Sequence, residues 1–186
     1  LGIEFGSTRI KASIVTRDSS QVASGAFAWE NTVTDGHWSY PLNAIHEGLT
    51  AAYADLVADA QRRCGVTPET FDAIGISGMM HGYLAFDEAD ELLVPFRTWR
   101  DTTTGEASTA LTEAFGQNIP LRWSIAHLYQ VLLDKEEHAS RVDFMTTLSG
   151  YVHWRLTGEK VLGVGDASGM FPVAADGQQF DPGLLN

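Results

Sequence analysis

Near the amino terminus, Glu4-Phe5-Gly6-Ser7-Thr8 followed by Lys11 puts an acid, a glycine, two hydroxyls and a cation into one short stretch. Glycine lets the backbone approach a ligand, Ser7 and Thr8 offer hydroxyl and N–H donors to phosphate oxygens, and Lys11 adds positive charge. Glu4 is suited to hold a magnesium ion through water. A Gly-Ser-Thr hairpin is also an ordinary turn, and these residues alone leave both readings open. A second stretch, Ser77-Gly78-Met79-Met80-His81-Gly82, follows an apolar run, and loops at strand ends are where α/β sheets bind ligands. His81 can donate to a sugar hydroxyl and Met80 can pack on a carbon skeleton, while a core Met pair with a hydrogen-bonded His fits the position equally well. In the third, Phe96-Arg97-Thr98-Trp99-Arg100-Asp101-Thr102-Thr103, Trp99 offers a flat face for C–H surfaces, and Arg100 and Asp101 supply a donor and an acceptor for a polyol. Asp101 or Thr102 is equally a cap for a following helix. Gly165-Asp166-Ala167-Ser168-Gly169 sets an acid and a hydroxyl in a glycine-rich turn.

These residues must be held by a definable set of elements. Leu1 to Phe5, Lys11 to Val15 and Gln21 to Trp29 read as strands of an antiparallel meander, with Arg17-Asp18-Ser19-Ser20 as a polar turn. From Leu42, apolar residues at Ile45, Leu49, Ala52, Tyr53, Leu56, Val57, Ala60 and Cys64 recur at helical spacing between Pro41 and Gly65. Ala73 to Gly78 has the look of a buried strand, and Tyr83 to Phe86 is a second. Helices are expected over Thr102 to Phe115, Ser124 to Asp134 and Tyr151 to Leu156, with Tyr151, His153 and Trp154 anchoring the last in the core. The tail from Gly163 to Asn186, with five of the eighteen glycines, reads as loops and short strands without helix. Strands followed by mixed strands and helices make one α/β domain.

Composition narrows the function. Twelve Lys+Arg against twenty-four Asp+Glu give a net charge of −12, which repels phosphate backbones and anionic lipid and argues against nucleic-acid or membrane partners. No apolar stretch approaches the ~18 residues that span a bilayer. Cys64 is the only cysteine, so neither an intrachain disulfide nor a thiolate metal cage can form, and the cytoplasm is the expected compartment. The six histidines lack H-E-x-x-H or comparable spacing, and no G-x-x-x-x-G-K-[ST] loop or dinucleotide fingerprint occurs.

Taken in order, the motifs resemble those of the amino-terminal domain of the FGGY carbohydrate kinases, the family of xylulokinase, glycerol kinase and gluconate kinase. Gly2-Ile3-Glu4-Phe5-Gly6-Ser7-Thr8 with Lys11 is similar to the family's first phosphate loop. Ile74-Gly75-Ile76-Ser77-Gly78-Met79-Met80-His81-Gly82 is similar to the xylulokinase sugar loop, and Trp99-Arg100-Asp101-Thr102 to its Trp-Asn-Asp-Thr element. Leu156-Thr157-Gly158-Glu159 and Asp166-Ala167-Ser168-Gly169 are similar to the Leu-Thr-Gly-Glu and Asp-Ala-Ser-Gly pair.

The resemblance implies an actin-like ribonuclease H fold, a mixed five-stranded sheet with helices on both faces, as one domain of a two-domain kinase. It implies MgATP as phosphoryl donor and a sugar or polyol as acceptor. Met80, His81, Trp99, Arg100 and Asp101 are then expected at the acceptor, Gly6, Ser7, Thr8 and Lys11 at the phosphates, and Glu4 at the metal. Glu4 stands where the family usually has Asp, and Arg100 replaces the xylulokinase Asn. Residues 1–186 are expected to be the sugar-binding and first phosphate-loop domain, trimmed at its carboxyl end, without the second, ATP-binding domain. The family's general base, an Asp, falls beyond Asn186, so the fragment alone is expected to be inactive. A homodimer is compatible with this reading. The rivals are an actin-like ATPase with no sugar substrate and a non-catalytic sugar-binding module. Neither the sugar nor the phosphorylated carbon is readable from the residues.

Overall fold

Alternating burial runs through the first strands, with Ile3, Phe5, Ile10, Ala12 and Ala23 facing inward and polar neighbours outward, as a sheet with one packed face requires. The computed structural model describes residues 1–185. Strands β1 (Gly2–Phe5), β2 (Arg9–Val15) and β3 (Gln21–Ala28) form the expected antiparallel meander. Two more strands, β4 (Thr32–Thr34) and β5 (His37–Ser39), pair with each other. Helix α1 (Leu42–Cys64) begins after Pro41 and ends at Gly65 as expected, and packs on β3 and β2. Its buried residues are Ile45, Gly48, Ala52, Leu56, Asp59 and Ala60, so Leu49, Tyr53 and Val57 lie at the margin and Cys64 is exposed. Asp59 is tolerated on that face because it accepts from Ser24 N at 3.0 Å and from Arg62 and Arg63.

Strand β6 (Gly75–Gly78) pairs parallel to β1, giving a mixed sheet of order β3-β2-β1-β6. Its run does not have the burial expected: Ile74 is 54% exposed, because β6 is the edge strand of the four described here. Period and apolar content alone do not separate an edge strand from an inner one.

The chain is described as two compact units, one of Leu1–Asn31 with Tyr40–Gly78, the other of Thr32–Ser39 with the residues from Met79 onward. In the second unit, β7 (Leu84–Phe86) pairs with β8 (Phe144–Thr146). Helices α2 (Gly105–Phe115), α3 (Ser124–Leu133) and α4 (Leu148–Thr157) surround separate apolar clusters. One is Tyr83, Ala85 and Val131, and another is Leu111, Ile119 and Ala126. Phe86 stacks on Tyr151 at 5.7 Å and meets Trp154 edge-on at 5.2 Å, so Tyr151 and Trp154 do anchor α4, while His153 stays half-exposed.

Helix α4 starts three residues earlier than the sequence suggests, capped by Thr147, whose hydroxyl accepts from Gly150 N at 3.1 Å. Helix α2 starts three residues later, at Gly105, since Asp101 holds Thr103 in a turn of its own instead of capping the helix. The tail, expected to be free of helix, contains the single turn α5 (Val164–Ala167) and a 3-10 turn at Pro182–Leu184. Asn186, the last residue of that expectation, lies outside the described residues.

Candidate functional site

In the first unit, Gly6-Ser7-Thr8 forms the β1–β2 turn, closed by Gly6 N donating to Arg9 O at 2.9 Å. All three turn carbonyls are held from the inside. Trp29 Nε1 donates to Gly6 O at 2.7 Å, Tyr40 Oη to Ser7 O at 2.6 Å, and Trp29 N to Thr8 O at 3.1 Å. Trp29 and Tyr40 stack on each other at 4.1 Å, and Phe5 meets Trp29 edge-on. With each of its carbonyls already accepting a hydrogen bond, the turn presents the exposed Ser7 and Thr8 hydroxyls, which can donate as well as accept. Trp29 and Tyr40 escaped the sequence reading because nothing in their spacing says which carbonyl they reach.

Glu4 and Lys11 stand opposite each other in the β1–β2 register and pair at 3.1 Å, each side chain 53% exposed. They line an open groove of about 580 Å³ with Gly2, Ser13, Gly75 and Ser77. Among the described residues no cluster of three or more His, Cys, Asp or Glu side chains could cage a metal. A single exposed carboxylate fits magnesium all the same, because that ion keeps most of its waters and leans on one or two carboxylates plus substrate phosphates.

In the second unit, three of the sequence-predicted stretches meet. Tyr83 and Arg97 form an antiparallel bridge, with Tyr83 N donating to Arg97 O at 2.7 Å. Gly82, at φ +110°, lies so close to this partner that an added Cβ would come within 2.4 Å of Arg97 O, so only glycine fits. The end of the Met80-His81 loop at Gly82 therefore packs against Arg97 and Thr98, the residues just before Trp99. From another direction Gly169 packs on the same loop, where an added Cβ would lie 2.8 Å from Met80 O and 2.9 Å from His81 Nδ1. Ser149 donates to Asp166 and ties that turn to α4. Arg122 O accepts from Gly82 N at 3.0 Å and Ser124 Oγ donates to Gly82 O at 2.6 Å, fixing the loop's far side.

His81 and Met80 are half-buried, and Trp99 is 40% exposed. Burial holds the His81 imidazole below its ordinary pKa, with the Gly169 carbonyl and Asp166 pulling it up and Arg122 pulling it down, which leaves it neutral at pH 7. Arg100 is exposed and lies 4.2 Å over the Trp38 ring. Asp101 differs from the others in being only 1% exposed. Its Oδ1 accepts from Thr103 N at 2.9 Å and Thr103 Oγ1 at 2.6 Å, and its Oδ2 is 2.5 Å from His37 Nδ1. Burial raises the pKa of Asp101, but the bonds from Thr103 and His37 outweigh it and hold the carboxyl below its usual range. So committed, Asp101 anchors the loop more than it faces a ligand. His37 was missed, although Asp35-Gly36, both at positive φ, is the dipeptide that marks a two-residue hairpin turn.

The family model for the N-terminal domain of the FGGY family of carbohydrate kinases matches residues 1–186, and the chain belongs to that family. The xylulose kinase of Streptomyces rubiginosus is 25% identical over 195 residues, covering 100% of this chain and 39% of that protein. Among solved structures, the xylulose kinase of Rhodospirillum rubrum superposes with a TM-score of 0.81 at 19% identity, over 99% of this chain and 40% of that one. The gluconate kinase of Lactobacillus acidophilus gives 0.78 at 20% identity, over 99% and 38%. The chain thus spans about two fifths of the relatives it matches, and its fold is the actin-like ATPase fold of these kinases. No helix among the described residues is long and apolar enough to cross a membrane.

Proposed function

We propose that this chain is the acceptor-binding and first phosphate-binding part of an ATP-dependent carbohydrate kinase, which transfers the γ-phosphoryl group to a hydroxyl of a ketose, polyol or related sugar. The observation that carries the reading is the meeting of the Met80-His81 loop, the Trp99 segment and the Asp166–Gly169 turn in one unit. A neutral imidazole, a thioether and an exposed indole on segments that meet would offer hydrogen bonding to hydroxyls and an apolar surface for the carbon skeleton. Met80, His81, Trp99 and Arg100 are the acceptor contacts in this proposal, and Asp101 holds their loop.

In the other unit, Gly6 allows close approach of a phosphate, Ser7 and Thr8 donate to its oxygens, and Lys11 offsets its charge. Glu4 is the residue that would hold magnesium through water, the ion supplying charge neutralisation on the phosphates. Phosphoryl transfer asks the protein mainly for alignment and electrostatic stabilisation, the two tasks these side chains can do. A xylulokinase-like ketose is the first acceptor to try, with gluconate beside it because relatives of both kinds share the fold.

Two substitutions in the full-length protein separate the two half-sites. His81→Ala should raise KM for the sugar several-fold to about tenfold, the value of one or two hydrogen bonds, with KM for ATP unchanged. Lys11→Met should do the reverse. Steady-state kinetics with a melting curve for each variant checks this: a lower melting temperature with both KM values unchanged would return His81 to a purely structural role.

A further inference from the structure

The hairpin β4–β5 belongs to no motif of the sequence reading, yet it grips the Trp99 segment on both sides. Upstream of Trp99, Thr98 N donates to Trp38 O at 2.8 Å. Downstream, the guanidinium of Arg100 covers the Trp38 ring at 4.2 Å, and His37 Nδ1 reaches Asp101 Oδ2 at 2.5 Å. We propose that His37 is a positioning residue for the acceptor, acting through Asp101, and that the hairpin is the clasp that fixes the exposed Trp99 face. The proposal rests on the carbohydrate-kinase reading above.

Burial explains why a single bond carries so much. Asp101 is sealed from water, so each lone pair that loses its donor stays unsatisfied. The second imidazole within reach of its charge, His127, is fully buried in the same unit and makes no hydrogen bond through either ring nitrogen, so it satisfies none of the carboxylate's lone pairs. Arg97 is occupied as well, paired with Glu136 through both of its terminal nitrogens. Among the hydrogen bonds of the described residues, His37 supplies the one that reaches this carboxylate from outside the Asp101–Thr103 turn. It is also accessible to substitution, with its side chain 20% exposed. The hairpin can hold a fixed position because its turn is set by Asp35 and Gly36, and Thr34 pairs directly with His37 across it.

With the clasp in place, Trp99 is presented without first having to be ordered. Loss of the bond sets the loop free, and part of the acceptor's binding energy is then spent on ordering it. That defect belongs to acceptor binding and leaves the ATP half-site alone. It also predicts a specific rescue: the amide nitrogen of asparagine occupies nearly the place of a histidine Nδ1, so His37→Asn restores the donor and His37→Ala does not.

The test compares wild type, His37→Ala and His37→Asn in the full-length protein, by steady-state kinetics and by hydrogen exchange of the amides of residues 98–103. His37→Ala should raise the acceptor KM about tenfold and speed exchange in that segment by a similar factor, with KM for ATP unchanged and kcat within about twofold. His37→Asn should return both readouts to near the wild-type values. Unchanged exchange and unchanged acceptor KM in a folded His37→Ala protein would overturn the proposal, as would equal defects in the alanine and asparagine variants. A wild-type protein that phosphorylates no sugar would instead overturn the kinase reading and the acceptor role with it. The exchange data would then show whether the hairpin clasps the segment at all.

Discussion

Gly25→Val should abolish the folded state of the first unit. Gly25 lies in β3 directly under α1, and a Cβ added there would come within 2.2 Å of Leu56 N and 2.3 Å of Ala52 O. Both are backbone atoms of a helix, and neither can rotate away as a side-chain tip would. Ordinary overpacking costs about 1–3 kcal/mol because neighbours adjust. Here the helix has to leave the sheet, taking with it Ile45, Ala52, Leu56 and Ala60, so the loss should approach the whole stability of a small domain, roughly 5–15 kcal/mol. Gly25→Ala should be nearly as damaging. Gly75→Ala is the control, since a Cβ there meets nothing within 4 Å. Circular dichroism melts and limited proteolysis of the three variants check the prediction. A cooperative Gly25→Val melt close to wild type would mean that α1 does not sit on β3 in this way.

The second large effect is on the acid side. His127 is fully buried, stacked against Tyr83 at 6.2 Å, with neither ring nitrogen hydrogen-bonded. Burial pushes its pKa down to about 4, with Asp101 pulling it up and Arg97 and His37 pulling it down. The unfolded chain binds a proton here from about pH 6.5 downward, and the folded protein does not until about pH 4. In that interval protons favour the unfolded state, so stability is full above pH 6.5 and is lost on the way down, by on the order of 3 kcal/mol at pH 4. His81 and His138, also held low by burial, add losses of the same sign. His127→Leu keeps the volume and removes the titration. Urea unfolding between pH 7 and pH 4 should show a flatter profile for the variant and, at pH 7, a stability equal to or above wild type, since two orphaned polar atoms have gone. Parallel profiles would place the acid sensitivity elsewhere.

What could be read in advance followed from strong local patterns. Alternation and polar turns mark β1 to β3, and the spacing of apolar residues together with Pro41 and Gly65 marks α1. Met80, His81 and Trp99 stand out in sequence as candidates, and the Tyr83–Arg97 bridge brings their segments together, which spacing alone could not show. The interior of the site was not legible. Asp101 looks like an outward acceptor in sequence, and only its burial and its bonds to Thr103 and His37 turn it inward. The hairpin β4–β5 has three-residue strands, too short for a periodic signal, so only Asp35-Gly36 could have revealed it. Trp29 stands at the end of an expected strand and Tyr40 in no motif, and nothing in a sequence specifies that their polar ends hold the carbonyls of the Gly6-Ser7-Thr8 turn.

The most direct measurement is ADP release by the uninterrupted gene product, with MgATP and a panel of ketoses, polyols and aldonates. The kinase reading predicts ADP formation that depends on one class of these acceptors and yields the phosphorylated sugar in equal amount, with little hydrolysis in its absence. ATP hydrolysis that no acceptor accelerates, or binding of sugar without any use of MgATP, would contradict it.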